Sequence, residues 1–164
     1  MKSSKLFIKI LCISLCVSFS SCSSDDDKYS KSDLVGTWMI VHIKGYESFT
    51  VNGVEERNDY EETYPDDMGR DSSVGEYAEF RENGDYYAGS SLSKLSYEGT
   101  WRIKGGSIIF EFEEDDEDEV ISIKIVKLTA DELVVEDHQK EKDVYNGIVY
   151  IDEMYEVTTM ERVK

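Results

Sequence analysis

Residues 97–112 read YEGTWRIKGGSIIFEF, and this stretch decides the fold. Two alternating runs meet at Gly105-Gly106, a dipeptide that reverses a chain within two residues. Successive side chains of a strand point to opposite faces, so Trp101 and Ile103 lie opposite Arg102 and Lys104. Beyond the turn, Ile108, Phe110 and Phe112 oppose Ile109, Glu111 and Glu113. One apolar and one wet face per strand is the pattern of an antiparallel sheet folded over or closed on itself.

Outward from this hairpin the same signal recurs. Strands are expected near 77–82 and 85–90, joined by Asn83-Gly84, with Ala78 and Phe80 opposite Glu79 and Arg81. A run at 120–128 places Ile121, Ile123 and Ile125 opposite Ser122 and Lys124. Further strands are expected near 35–44, 133–138 and 147–160, making eight in all. Val149, Ile151, Val157, Thr158 and Thr159 weaken a helical reading of the last. With one proline (Pro65) and no long helical period, the chain reads as a single all-β domain.

The first 21 residues read as a secretory leader: Lys2, Lys5 and Lys9 precede an apolar run from Ile10 to Phe19, too short to span a bilayer. Ser20-Ser21-Cys22 resembles the lipobox of bacterial lipoproteins, which makes Cys22 the lipidation site and the membrane a partner through that anchor. Ser23-Ser24-Asp25-Asp26-Asp27 resembles the acidic export signal of Bacteroidetes-type surface lipoproteins. Residues 22–33 are then an acidic tether, and 34–164 the barrel domain with a long acidic loop at 45–76. The expected location is the outer membrane, facing the exterior.

The chain has 164 residues and a formal charge of −18. The leader holds three lysines and no acid, so the remainder carries 15 basic against 36 acidic residues, or −21. Such a surface repels phosphate backbones and disfavours nucleic acid. Cys12 and Cys16 leave with the leader, so no thiol remains for a disulfide, a zinc site or a nucleophile.

Leu34-Val35-Gly36-Thr37-Trp38 resembles the Gly-x-Trp signature that opens the first strand of lipocalins. YAEFRENGDY (77–86), SYEGTWRIKGGSIIF (96–110) and IKIVKLTADELVV (123–135) also resemble, in order and spacing, the lipocalin-like domain of Bacteroidetes-type lipoproteins over roughly 34–160. That resemblance implies an eight-stranded antiparallel up-and-down barrel closed at one end by a packed tryptophan. Of the other lipocalin marks, the Thr-Asp-Tyr motif is not evident, and Arg162 is the candidate for the late arginine over the tryptophan. Connections in such a barrel alternate between its ends. Asn83-Gly84, Gly105-Gly106 and the Thr129–Glu132 turn fall at one end, with Trp38 and Trp101. The 45–76, 91–96, 113–119 and 139–146 connections fall at the other.

Four candidate chemistries remain. The interior residues Phe80, Trp101, Ile108, Phe110, Phe112, Ile121, Ile123 and Ile125, with Trp38, Ile40 and His42 from the first strand, either fill the barrel or line an apolar ligand cavity. The run EEDDEDE at 113–119 and the acids of 45–76 are either a solvated rim or a calcium site, although no EF-hand spacing is present. His42 and His138 have no nucleophile or metal-ligand spacing around them. Tyr46, Tyr60, Tyr64, Tyr86 and Tyr87 either pack on the rim or grip a protein or glycan partner. The reading is a non-enzymatic surface lipoprotein that binds a small hydrophobic or amphipathic ligand, with no cofactor and no metal. Its alternative is a filled barrel whose rim loops contact a protein or glycan.

Overall fold

The computed structural model describes residues 28–68, 72–113 and 118–164; Cys22, the leader and the start of the tether lie outside them. A single helical turn, α1 (Lys31–Leu34), precedes nine strands. They are β1 (Gly36–Val51), β2 (Val54–Thr63), β3 (Tyr77–Phe80), β4 (Asp85–Gly89), β5 (Ser96–Lys104), β6 (Ser107–Glu113), β7 (Asp118–Leu128), β8 (Glu132–Tyr145) and β9 (Ile148–Arg162). Strands β1 and β3 to β9 pair in sequence order, and β9 returns to β1, closing an eight-stranded antiparallel barrel. Gly105 and Gly106 sit at φ +60° and +77°, which only glycine adopts without strain, and join β5 to β6 in two residues.

The turns from β3 to β4, β5 to β6 and β7 to β8 fall at one end, as the alternation of connections requires, and that end is sealed. Trp38 is fully buried and its indole N–H donates to the Leu34 carbonyl at 2.9 Å. The Arg162 guanidinium lies 4.1 Å over the Trp38 ring and donates to the carbonyls of Val35, Asp33 and Ala130 at 2.6, 2.6 and 2.5 Å. Arg162 is thus the late arginine over the tryptophan. Trp101 meets Phe80 edge-on at 5.3 Å and donates to the Arg81 carbonyl. Such pairs contribute about 0.5–1.5 kcal/mol beyond the area they bury.

The other end differs from expectation in two ways. Residues 45–63 are not a loop: β1 runs on to Val51, turns at Asn52-Gly53, and returns as β2. Likewise β8 does not stop at 138 but continues to Tyr145, turning at Asn146-Gly147 into β9. Beyond Lys44 and Glu136, β2, β1, β9 and β8 therefore form a four-stranded flap, in that order, with an edge on each side that pairs with no other described strand. From Gly45 to Val51 it extends about 20 Å at about 3.3 Å per residue. Its edge strands β2 and β8 are mostly exposed and charged here, so they carry none of the apolar alternation that marks a half-buried strand. At the sealed end the tether stops sooner than expected, because Tyr29 is buried in the core and Leu34 is wholly enclosed.

Candidate functional site

Residues directly opposite on paired strands share a face, so the registers sort the flap into two surfaces. Ile43, Val135 and Thr158 face the barrel interior and are buried. Continuing outward on that side come Gly45, Tyr60, Glu156 and Asp137, then Glu47, Asn58, Met154 and Gln139, then Phe49, Glu56, Asp152 and Glu141. The opposite side carries Lys44, Tyr46, Arg57, Glu153, Tyr155, His138, Lys140 and Lys142.

The outer face is a closed network. Glu153 accepts from Lys140, from His138 at 2.9 Å and from the Tyr46 hydroxyl at 3.0 Å. These bonds, Lys140 first, pull its carboxyl down to about 2. Tyr46 stacks on Tyr155 at 5.7 Å, and the Arg57 guanidinium caps the Tyr46 ring at 3.6 Å while holding Asp59 at 2.7 Å. Lys124 and Tyr155 both bind Glu136.

The inner face is open. A groove of about 540 Å³ runs across it, lined by Glu47, Phe49, Glu56, Asn58, Gln139, Glu141, Asp152 and Met154, with Ser48, Arg57 and Glu153 contributing from the other side. Phe49 is 42 % exposed and its ring lies 6.1 Å from that of Tyr150. Nearer the barrel, the Tyr60 hydroxyl donates to Glu156 at 3.1 Å; burial first, and then this carboxylate, push the phenol up. Of this surface the sequence indicates only a small hairpin at Asn52-Gly53 within 45–76, which β1 and β2 form. Two Asn-Gly dipeptides, 52–53 and 146–147, were the signal available for it.

The interior candidates divide into layers. Trp38, Phe80, Trp101, Ile108, Phe110 and Ile125 form one packed core, with Phe112, Ile121 and Ile123 half-buried against it. Burial fades toward the open end: along β6 Ile108 is 1 % exposed, Phe110 6 %, and Phe112 only half-buried; along β7 Ile125 is buried and Ile121 is not. Tyr86 packs on Phe110 at 4.8 Å, and burial pushes its phenol up to about 12. Ile40 faces inward opposite Met160. His42 does not. A β-bulge at Val41 shifts the register against β9, turning His42 outward beside Thr159, where it meets Glu61 at 3.0 Å. Tyr46 and Tyr60 lie on opposite faces of the flap, and Tyr87 sits under Arg81 at 3.7 Å. Among the described residues no group of three or more His, Cys, Asp or Glu side chains is placed to hold a metal; residues 114–117 of the acidic run lie outside them.

No curated protein matches the chain. The family model described as a lipocalin-like domain matches residues 34–135, from α1 through the first part of β8. That match, the closed eight-stranded barrel and the tryptophan-arginine seal agree, and the chain belongs to the lipocalin-like domain family.

Proposed function

We propose that the protein is a non-catalytic binding protein that takes a small hydrophobic or amphipathic molecule at the open end of its barrel. The observation that carries this reading is the fading burial along β6 and β7, which leaves Phe112, Ile121 and Ile123 as a half-covered apolar floor. Pockets of this kind are mostly apolar with a few polar groups at the entrance. The acids above the floor favour neutral or cationic molecules over carboxylates.

In this reading Cys22 is lipidated and holds the protein on the outer membrane. What supports the orientation is α1, which packs against the sealed end. A tether entering there directs the open end away from the membrane, toward the exterior. The test is titration of purified protein with an environment-sensitive apolar fluorophore, with native mass spectrometry of the same sample. Saturable one-to-one binding, lost in Ile121→Trp, is expected. A folded protein with no saturable binding overturns it. The filled-barrel alternative, with a protein or glycan at the rim, is favoured by the exposure of Met68 and Leu92 on the open-end connections and of Tyr97 at the start of β5.

A further inference from the structure

We propose that the inner face of the flap is a docking face for a basic amphipathic segment of another polypeptide. Sheets are stable as layers, each burying a face against a second element. The flap is a single layer beyond the barrel, and its two faces are treated differently. Its cations, Lys44, Arg57, Lys140 and Lys142, all lie on the outer face, where Arg57 and Lys140 are paired with acids. The inner face has acids on all four strands and no base.

That inner charge opposes the fold. Across β8 and β9, Asp137 lies directly opposite Glu156, and Glu141 directly opposite Asp152. Like charges in such positions destabilise a sheet. On the outer face the same two strands set Lys140 opposite Glu153. Rules of local stability are broken chiefly where a surface serves something else.

The shape and chemistry then select the occupant. Three inter-strand spacings make the face about 14 Å wide, enough for one helix of about 10–12 Å. Phe49, Tyr150 and Met154 offer apolar contact between the acids. A second copy laid face to face would set acids against acids, and anionic lipid or nucleic acid would be repelled. A basic segment with an apolar stripe satisfies both components and cancels the repulsion.

The test is fluorescence anisotropy with the purified protein and a labelled peptide of about 18 residues, Lys and Leu placed in helical register, beside its Glu-for-Lys counterpart. The Lys peptide is expected to bind saturably, one to one, and the Glu peptide not at all. Glu141→Gln with Asp152→Asn should weaken binding about tenfold, and Phe49→Ser should weaken it too. Glu55→Gln with Glu61→Gln makes the same change of net charge on the outer face and should alter affinity less than about twofold. Equal losses from both pairs would mean diffuse attraction and overturn the proposal, as would absence of saturable binding. The inner pair removes a repulsion, so its effect cannot come from unfolding. Fluorophore binding in the barrel should be unchanged by every flap variant, which separates this proposal from the barrel-ligand reading.

Discussion

Arg162→Leu isolates the seal of the barrel. The guanidinium bridges three chain segments: the end of β9, the α1–β1 junction through Asp33 and Val35, and the β7–β8 turn through Ala130. Its bond to the half-buried Val35 carbonyl is worth about 1.5 kcal/mol, and the two exposed bonds about 0.5 kcal/mol each, because water replaces them. The stacking on Trp38 adds about 1 kcal/mol. The expected loss is therefore about 3.5 kcal/mol, a large share of the stability of a domain this size. In urea unfolding followed by tryptophan fluorescence, a slope of about 1.5 kcal/mol per M turns that loss into a midpoint lower by about 2 M. Arg162→Lys keeps the charge but not the planar fork that reaches three acceptors, and should recover about a third. A loss below about 1 kcal/mol, or full rescue by lysine, would refute the reasoning.

Gly36 has φ +140°, and a Cβ placed there would lie 2.3 Å from Arg162 Nη1, so Gly36→Ala should cost about 1–3 kcal/mol. Combined with Arg162→Leu its cost should shrink, and strict additivity would show that the two do not share a contact. Phe80→Ala, which empties the space between Trp101, Tyr86 and Phe110, should cost about 3–5 kcal/mol by the same unfolding measurement. Glu141→Gln should raise the thermal midpoint by about 1–3 °C through relief of its opposition to Asp152; a fall would refute the charge argument. Glu153 is held down to about 2 against an ordinary 4.5. A depressed folded value stabilises above about pH 4.5 and is lost as pH falls toward 2. Glu153→Gln should flatten the urea midpoint over that window, and curves parallel to wild type would remove Glu153 from the account.

The barrel was legible because its signals are local. Trp101 and Ile103, or Ile108, Phe110 and Phe112, alternate with polar residues, and the glycines at 105 and 106 fix where the chain turns. The core residues named from that alternation form one cluster, and both tryptophans lie at the sealed end. His42 failed for a different reason. A bulge at Val41 is a property of how β1 registers against β9, more than a hundred residues away, and a one-residue shift sends every later side chain to the other face.

The sequence alone therefore determined the fold class and the strand-borne part of the core, since both follow from the two-residue period of a half-buried strand, while the order of strands was implied by the lipocalin resemblance. The flap, the carbonyls that Arg162 bridges and the separation of charge between two faces were decided only in three dimensions. A strand exposed on both sides has no apolar period to display. Which acids face a cation and which face one another depends on pairing between β1, β2, β8 and β9, and no local pattern encodes it.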